Sequence, residues 1–462
     1  MRQVNLALIG AGTVGGGVVQ ALQRHGPRLA ARLGVRFHLA KVAVRDPRRA
    51  RDFTLPAGVV TRDWREAALA PGVDVVVEVM GGTSIAREAA RATLRLGRPL
   101  VTANKALLSA HGEELFSLAA AHGTNLYYEA SVAGGIPIIK VLRESLVGNR
   151  VTRLFGILNG TCNYILTRMA REGADFAAVL ADAQRLGYAE ADPALDVDGL
   201  DALHKAGILA SLAHGFWVEP ERIHLQGIRG VTALDMRFAT QLGYTIKLLG
   251  VVKALNGEKP GPRAGSRISV TVEPTLIPHR HVLAGVDGVF NAVFVRGDIV
   301  GDTLYYGRGA GRDATASSVL SDLADAALDL KCGARNRIPA FVAHDRDGAV
   351  VPAEKVRSSF YLRLDVVDRP GVLACWRASR RCWPARASAS PPSSSRRATR
   401  ARTCRWCSCC TTPRARRCTG RSRRSAACPP WAASRRSSRS RPSGDRVQVK
   451  GDRSKHGAGP AI

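Results

Sequence analysis

The chain has 462 residues and a formal net charge of +30, a length that allows about three domains and a charge that at first suggests nucleic-acid binding. From Cys375 onward, however, 23 basic residues stand against 2 acidic ones, so the excess belongs mostly to the tail and nucleic-acid binding is unlikely for the remainder. No apolar run reaches the ~20 residues of a membrane span, and no signal peptide precedes the first strand. Only two of 10 cysteines precede residue 375, which excludes a disulfide-stapled fold for that part and favours the cytoplasm.

The first predicted elements are a strand, a glycine turn and a helix. After the apolar run from Val4 to Ile9 the chain reads Gly-Ala-Gly-Thr-Val-Gly, and apolar residues then return at helical spacing. Gly10 allows a tight turn, Gly12 lets a pyrophosphate approach the backbone, and Gly15 lets the helix pack on the strand. Because helix N-termini attract phosphate, this context favours a dinucleotide site over a glycine turn without a ligand. The expected cofactor contacts are Gly10, Gly12, Thr13, Val14 and Gly15.

The end of the second predicted strand, Phe37 to Val44, bears on the choice of cofactor. An acidic residue at this place favours a free ribose hydroxyl, whereas an arginine favours a 2′-phosphate. Arg45 comes first and Asp46 follows it. We therefore expect NADP(H) to be favoured over NAD(H), with Arg45 as the main contact. Asp46 keeps NAD(H) as an alternative, and a solvated basic turn is the interpretation without a ligand.

Strands and helices continue to alternate up to about residue 130. Further strands are predicted at Val73 to Val79, Leu100 to Thr102 and Asn125 to Glu129. The alternation predicts an α/β fold with a doubly wound parallel sheet, a Rossmann-type domain over residues 1–135. Lys105 lies where a parallel strand meets its helix, which is the edge at which such sheets bind ligands.

A loop and the start of a helix, residues 183–205, hold a dense group of acidic residues. They are Glu190, Asp192, Asp196, Asp198 and Asp201. Asp201 and Lys205 are four residues apart, so both project from one face of the predicted helix. We assign no chemistry to Asp192, which precedes a proline, or to Asp198, which suits a helix N-cap. A solvated acidic loop with an ordinary surface ion pair is the alternative.

The order of these residues resembles the signature of homoserine dehydrogenases. The pattern runs Ala, three residues, Gly-Tyr-Ala, two residues, Asp-Pro, two residues, Asp, an aliphatic residue, one residue, Gly, one residue, Asp, three residues, Lys, and every fixed position from Ala183 to Lys205 is occupied. The resemblance implies NAD(P)-dependent interconversion of L-homoserine and L-aspartate 4-semialdehyde in threonine and methionine biosynthesis. The alternatives are another amino-acid or semialdehyde dehydrogenase on this scaffold, and a basic protein that binds nucleic acid through its tail.

The resemblance also implies roles for individual residues. Its position in the signature makes Lys205 the proton donor and acceptor. Glu190 would bind the ammonium or hydroxyl end of the substrate, Asp201 would orient the substrate and Lys205, and Asp196 would be a further substrate contact. Lys105 would lie beside the nicotinamide and the substrate. Two glycines are expected to contact the cofactor, Gly187 and Gly309.

A monovalent cation, usually sodium, is a further implication of the resemblance. Its ligands would be the carboxylate of Glu129 and the backbone carbonyls of Val132, Gly134 and Ile136. Oxygen ligands suit a hard cation. From the residues alone, this segment reads only as a turn that leads into a helix at 137–146.

Residues 136–312 are predicted to form an α+β domain for substrate binding and dimerisation. Strand-like runs recur at 151–158, 244–253, 267–274 and 289–295, with a helix at 232–243. A glycine turn around residues 306–311 precedes a helix that is expected to return to the nucleotide domain over residues 313–335. A homodimer is expected from the resemblance only.

The C-terminal part begins like one domain and continues as something else. Residues 358–374 resemble the start of an ACT regulatory domain. From residue 375 to 462 the composition is dominated by Arg, Ser, Ala, Pro and Cys, which favours a frameshift in a GC-rich gene over a disordered basic tail that binds nucleic acid or membrane. Either interpretation predicts a largely disordered tail, with no defined structure after about residue 375.

Overall fold

The computed structural model describes residues 1–255, 265–334, 336–367, 403–412 and 437–440. These residues form two sheets, a six-stranded one and a ten-stranded one. No helix within these ranges combines the length and the apolar character that crossing a membrane requires.

The six-stranded sheet is entirely parallel and confirms the predicted Rossmann-type architecture. Its strands are β1 (Arg2–Ile9), β2 (Val35–Ala43), β3 (Val60–Thr61), β4 (Val75–Glu78), β5 (Leu100–Thr102) and β6 (Leu126–Tyr127), in the order β3-β2-β1-β4-β5-β6. The connecting helices are α1 (Thr13–Leu33), α2 (Trp64–Ala68), α3 (Ser84–Arg95) and α4 (Lys105–Ala121). Val75, Val76 and Val77 are fully buried, as expected of a β-branched central strand. The strand order reverses between β1 and β4, where such sheets bind ligands.

The ten-stranded sheet is mixed, as predicted. Its strands are β7 (Val151–Ile157), β8 (His224–Leu225), β9 (Tyr244–Ala254), β10 (Arg267–Pro278), β11 (Phe290–Gly297), β12 (Gly301–Arg308), β13 (Ala349–Val350), β14 (Ser358–Val367), β15 (Thr403–Thr412) and β16 (Ser437–Ser440). The main path is β12-β11-β7-β9-β10-β16-β14-β15, and β8 and β13 also pair with β10. The helices of this part are α5 (Ile138–Lys140), α6 (Gly160–Glu172), α7 (Phe176–Arg185), α8 (Ala194–Val197), α9 (Leu200–His214), α10 (Ala233–Gln241) and α11 (Arg312–Cys332).

Helix α9 lies at the junction of the two sheets. It packs against β7, β9 and β10 of the mixed sheet and also against α4 of the N-terminal half. Gly199 and Gly215 flank it in left-handed conformations, which end the helix sharply on both sides. Even its charged residues Asp201 and Lys205 are less than a tenth exposed, because the helix is covered from two sides.

Helix α11 belongs to the core of the N-terminal half although it lies late in the chain. Ala316, Val319 and Leu323 are buried in the same hydrophobic cluster as the strands of the parallel sheet. Its first turn rests on α1, where a Cβ on Gly17 would meet Cγ of Arg312 at 2.6 Å. The start of α11 is thereby fixed beside the start of α1.

One local prediction, that of the glycine turn, was wrong, and the predicted helix at 137–146 is confirmed with a different geometry in its second half. The glycine turn at 306–311 is shorter than predicted, because β12 extends through Arg308 with alternating half-buried and exposed residues, a pattern that marks an edge strand. The helix predicted at 137–146 is three α-helical residues followed by a π-helical segment, Val141–Ser145. Pro137 precedes this helix as its N-cap.

The tail also differs from its prediction at two places. The structure describes strands at Thr403–Thr412 and Ser437–Ser440, and both pair with β14. Thr and Trp, which the first of these strands contains, have good strand propensity. The two strands lie on opposite sides of β14. The other residues of the tail, and the end of the ACT-like segment at 368–374, lie outside the described residues.

Candidate active site

The carboxyl edge of the parallel sheet carries the glycine turn. Gly10 has a φ of +103°, and a Cβ there would meet the Val79 carbonyl oxygen at 2.7 Å. A Cβ on Gly15 would meet the Gly10 carbonyl oxygen at 2.0 Å, whereas Gly12 faces open space. The first and third glycines are therefore required for packing, and the second leaves room for a ligand against the backbone.

The N-termini of α1 and α11 meet at this edge without side-chain caps. Gly12 is the N-cap of α1 and Gly311 is the N-cap of α11, and neither helix is capped by a side chain. The first backbone N–H groups of such helices seek a partner, and the helix dipole favours an anion. Thr13 and Val14 open α1, so these expected contacts lie at a suitable site for a pyrophosphate.

The turn after β2 leaves Arg45 exposed. It makes no ion pair with any residue in the described ranges. The carboxylate of Asp46 accepts the backbone N–H of Arg48 at 2.9 Å, and the guanidinium of Arg51 donates to the Asp46 carbonyl at 2.8 Å. Asp46 is therefore engaged in its own turn, whereas the Arg45 guanidinium is available to a ligand.

Lys105 begins α4 directly at the carboxyl end of β5. The side chain of Asn104 caps this helix by accepting the Leu107 N–H at 3.0 Å, and it donates to the Gly82 carbonyl at 2.7 Å. The Thr102 hydroxyl donates to the buried Glu78 carboxylate at 2.7 Å; burial raises the pKa of Glu78. These contacts join the ends of β4 and β5 and fix the base from which Lys105 projects.

Asp201 joins residues from three segments of the chain. One of its carboxylate oxygens lies 3.2 Å from the Lys105 ammonium, and the other accepts from Lys205 and from the Asn159 side chain, each at 2.8 Å. Lys205 also donates to the Leu158 carbonyl at 2.7 Å, and Asn159 donates to the Asp196 carboxylate at 2.7 Å. The structure therefore brings together four of the predicted or implied site residues at the carboxyl edge of the sheet.

The two ammonium groups keep Asp201 ionised. Burial alone would raise the pKa of this carboxyl. The charges of Lys205 and Lys105, with the hydrogen bonds from Lys205 and Asn159, outweigh burial and hold the pKa of Asp201 well below its ordinary value. The cluster thus presents a fixed arrangement of charges to a polar substrate.

Glu190 is not brought into this cluster by any contact of the described residues. It is exposed, and only its backbone carbonyl is held, by Gln184 at 3.1 Å. Its loop is anchored nearby, because the Tyr188 carbonyl accepts from the Thr161 hydroxyl at 2.8 Å. Gly187, which lies in the exposed turn after α7 with a φ of +74°, belongs to the same loop.

One reason for assigning no chemistry to Asp198 was wrong. Asp198 does not cap α9, since Gly199 occupies the N-cap position. Its carboxylate instead pairs with the guanidinium of Arg229 on the surface. Asp192 accepts the backbone N–H of Ala194 at 3.1 Å, which starts α8 inside the segment that was expected to be a loop.

The segment expected to bind a cation is buried and anchored to two helices. The Glu129 carboxylate accepts the backbone N–H groups of Ile139 and Lys140 at 2.9 and 2.8 Å, and its own N–H donates to Asp322 at 2.9 Å. Burial raises the pKa of Glu129 to about 7. Burial, and then the charge of Glu129, raise the pKa of Asp322.

The oxygens of this segment fit a hard cation. The Gly134 carbonyl accepts from the Ser318 hydroxyl, and the Ile136 carbonyl accepts the Ile138 N–H at 2.8 Å. Each carbonyl oxygen keeps a second lone pair, and Val132 is fully buried beside them. A positive charge here would offset two buried carboxylates. Within the described residues no three His, Cys, Asp or Glu side chains are arranged to hold a metal, so carbonyls would supply most of the ligands.

Gly309 is buried where the two halves of the chain touch. A Cβ on Gly134 would meet the Gly309 carbonyl oxygen at 2.7 Å, and the Gly135 N–H donates to the Arg308 carbonyl at 2.9 Å. The turn that begins at Gly309 leads directly into the N-terminus of α11. Gly309 therefore lies just before the helix that packs against α1.

Asn159 is the main site residue that the sequence interpretation missed. It caps α6, since its side-chain oxygen accepts the Cys162 N–H at 2.8 Å, and the same side chain donates to Asp196 and Asp201. An asparagine directly after an apolar strand signals a cap, but no local pattern signals its second role. Cys162 is fully buried, and burial raises the pKa of its thiol.

Comparisons with known proteins show which family this chain is similar to. A family model described as homoserine dehydrogenase matches residues 137–324, and one described as homoserine dehydrogenase, NAD binding domain, matches residues 10–129. The chain is 44% identical over 377 residues to the homoserine dehydrogenase of Pseudomonas aeruginosa, covering 81% of this chain and 84% of that protein. It is 42% identical over 371 residues to that of Corynebacterium glutamicum, covering 80% and 82%.

Solved structures give the same result. A homoserine dehydrogenase from Thiobacillus denitrificans superposes with a TM-score of 0.76 at 44% identity, covering 82% of this chain and 86% of that one. A hyperthermophilic archaeal homoserine dehydrogenase in complex with NADPH superposes with a TM-score of 0.59 at 27% identity, covering 71% and 98%.

Proposed function

The chain belongs to the homoserine dehydrogenase family, and on this premise we propose that Lys205 exchanges the proton while L-homoserine and L-aspartate 4-semialdehyde are interconverted. The observation that supports this assignment most is the double contact of Asp201 with Lys105 and Lys205. It links the helix of the family signature to the edge of the nucleotide-binding sheet, where a hydride donor and acceptor would be held.

The three N–H bonds of the Lys205 ammonium explain how it would act. Leu158 and Asp201 accept two of them, and an ammonium group has three. The remaining one is directed by the other two and is available to the substrate oxygen. A nicotinamide bound at the sheet edge would supply the hydride acceptor for C4 of homoserine and, in reverse, the hydride donor for the aldehyde carbon. In the reduction direction this third N–H would give its proton to the carbonyl oxygen, which leaves Lys205 as a neutral amine. In the oxidation direction the neutral amine would take the hydroxyl proton and become the ammonium again, so the proton balances.

The remaining polar residues would hold the amino-acid part of the substrate. We assign Asp196 and Glu190 to its ammonium group, Asp201 to the orientation of Lys205 and substrate, and Lys105 to the region between nicotinamide and substrate. Asp196 is already held beside Asp201 through Asn159. Glu190 is exposed, so its contact requires the loop that contains Gly187 to close over the bound substrate.

NADP(H) is the proposed preference over NAD(H). Arg45 is free of protein partners among the described residues while Asp46 is committed to its turn, and a guanidinium suits a 2′-phosphate. The related hyperthermophilic archaeal homoserine dehydrogenase is in complex with NADPH. The backbone from Gly10 to Gly15 and the turn at Gly309 complete the proposed cofactor contacts.

Sodium is the proposed cation. Glu129 and the carbonyls of Val132, Gly134 and Ile136 would bind it, and its charge would stabilise the buried carboxylates of this segment. The cation would thereby hold the segment that joins the parallel sheet to α5. It is assigned no part in hydride or proton transfer.

A homodimer is the proposed assembly. Strand β12 ends the path of the mixed sheet, and it exposes Leu304 and Tyr306, with Ile299 and Val300 just before it. An edge strand with exposed apolar side chains invites pairing with another copy. The proposed domain boundaries within one chain are 1–135, 136–312 and the returning helix at 313–335.

An activity assay with both cofactors tests the proposed function. The purified full-length chain should reduce NADP⁺ in the presence of L-homoserine, with a lower KM for NADP⁺ than for NAD⁺. Absence of homoserine-dependent reduction with either cofactor would contradict the function. A lower KM for NAD⁺ than for NADP⁺ would contradict only the cofactor preference.

A further inference from the structure

Asn291 on β11 is buried without hydrogen-bond partners. Only 1% of its surface is exposed, and neither its side-chain nitrogen nor its side-chain oxygen has a partner among the described residues. Nearly all buried side-chain amides in folded proteins are paired, because an unpaired one loses its bonds to water without replacement. Asn291 is therefore a buried amide whose donor and acceptor groups are available for hydrogen bonds.

Two turns border the Asn291 amide. A Cβ on Gly309 would lie 2.0 Å from the Asn291 side-chain nitrogen, so this amide lies directly against the Gly309 backbone. On the other side, a Cβ on Gly160 would lie 3.7 Å from the Asn291 side-chain oxygen. Both glycines leave space that any other residue would fill.

These turns flank the proposed active site. The Gly309 turn runs through Gly311 into the uncapped N-terminus of α11, which packs on α1 through the contact of Arg312 with Gly17. Gly160 directly follows Asn159, the residue that binds Asp201. Asn291 thus lies between the cofactor side and the substrate side of the cleft.

We propose that Asn291 is a positioning residue for the cofactor. When the cofactor binds, the Asn291 amide forms hydrogen bonds with the backbone of the turn 309–311 and holds this turn against the ligand. A carboxamide offers one acceptor and two donors, which matches the N–H and carbonyl groups of a turn. The inference rests on the proposed function, because that function places a dinucleotide beside this turn.

A residue that only fills space would behave differently from a positioning residue. Leucine has almost the shape of asparagine but no polar atoms, so it removes the unpaired donor and acceptor without opening a cavity. Asn291→Leu should therefore not destabilise the free protein, and it should weaken only the ligand-bound state. Asn163 is the comparison residue for a structural role, because its side-chain nitrogen already donates to the carbonyls of Val286, Gly288 and Phe290.

The test compares three full-length proteins, the unchanged chain, Asn291→Leu and Asn163→Leu. Thermal unfolding is measured without cofactor, and NADPH affinity is measured from the fluorescence of the bound nicotinamide. We expect Asn291→Leu to keep or raise the Tm and to raise the Kd for NADPH about tenfold, as the loss of one or two hydrogen bonds would. Asn163→Leu should lower the Tm, because it removes a donor from three carbonyls, of which that of Val286 keeps the Lys247 ammonium as a partner.

Two results would overturn the role of Asn291. One is an unchanged Kd for NADPH in Asn291→Leu, and the other is a Tm that falls as far as that of Asn163→Leu, which would make Asn291 structural. Failure of the unchanged chain to oxidise homoserine, although it binds NADPH, would contradict the proposed function and leave the comparison of Kd values to decide on Asn291.

Discussion

Asp201 holds together two lysines that the sequence places far apart. Its link to Lys205 could be predicted, because residues four apart on a helix share a face. Its link to Lys105 could not, because that contact depends on how α9 packs against α4. The same holds for Asn159, whose bond to Asp201 depends on the meeting of β7, α6 and α9. Residue patterns therefore indicate candidate groups for the chemistry, and tertiary packing decides which of these groups touch.

Replacing Asp201 should change both stability and its pH dependence. The folded-state pKa of this carboxyl is lowered, so its contribution to stability is complete above its unfolded pKa, about 3.9, and is lost as the pH falls through the folded value. Asp201→Asn should lower the free energy of unfolding at pH 7 by about 3–5 kcal/mol, because it breaks a buried ion pair. Below about pH 4, the free energy of unfolding of the variant should then fall less steeply with falling pH than that of the unchanged chain.

Urea unfolding from pH 3 to pH 8 measures this effect. The exposed pair of Arg296 and Asp302 supplies the control, since Asp302→Asn should change the free energy of unfolding at pH 7 by no more than about 1 kcal/mol. Equal losses at pH 7 for Asp201→Asn and Asp302→Asn would show that Asp201 does not hold the cluster together.

Arg45 is the residue on which the cofactor preference depends. Arg45→Ala should raise the KM for NADP⁺ about tenfold or more, since a charged hydrogen bond to phosphate is worth about 1.5–3 kcal/mol. The KM for NAD⁺ should change less than twofold, because NAD⁺ has no 2′-phosphate. Arg49→Ala, which removes another exposed arginine of the same turn, is the matched control. An equal effect of Arg45→Ala on both cofactors would refute the contact.

At the scale of elements, the strands and helices with strong periodic patterns were predicted well, whereas short or irregular elements were not. The strand at Val75–Glu78 follows from a continuous apolar run. Strand β12 was missed because glycines at its C-terminal end, around residues 307–311, suggested a turn. The helix after Pro137 changes to π-helical geometry, which the spacing of apolar residues does not predict. Tertiary contacts of Glu129 with Ile139 and Lys140 fix the start of that helix.

Strand β14 is anchored to α10 by a buried ion pair. The Arg363 guanidinium and the Tyr361 hydroxyl both donate to the Asp235 carboxylate, at 2.6 and 3.0 Å. Arg363→Ala would leave that carboxylate buried with less compensation, so the free energy of unfolding should fall by about 3–5 kcal/mol. Chemical denaturation measures it, with the exposed Arg357→Ala as the control. If both variants lose less than about 1 kcal/mol, the start of the ACT-like segment is not part of the folded core.

At the scale of the whole molecule, the two halves of the chain complete each other. Helix α11 returns to the parallel sheet, and α9 carries the signature residues to its edge. The class of fold was predictable from the order of strands and helices, whereas the contact between the halves was not. The strands described within the tail were also not predictable, because they depend on pairing with β14 and the composition of the tail does not indicate that pairing.

The proposed homodimer makes a prediction at this scale. Light scattering should give about twice the chain mass of 49.3 kDa. Leu304→Asp should shift the mass toward that of one chain, because it places a charge on the exposed face of β12. Leu96→Asp alters a leucine of similar exposure at the end of α3 and should leave the dimer intact. A dimer that survives Leu304→Asp and Tyr306→Asp together would place the interface elsewhere.

The steady-state rate of Lys205→Ala tests the central claim most directly. The variant should bind NADPH with a Kd within about twofold of the unchanged chain, while kcat for homoserine oxidation falls about 10²–10⁴-fold, the usual contribution of a positioned proton-transfer group. Lys355→Ala, at an exposed lysine, should retain full activity. A Lys205→Ala variant that keeps the original kcat would contradict the assignment of proton transfer to this residue.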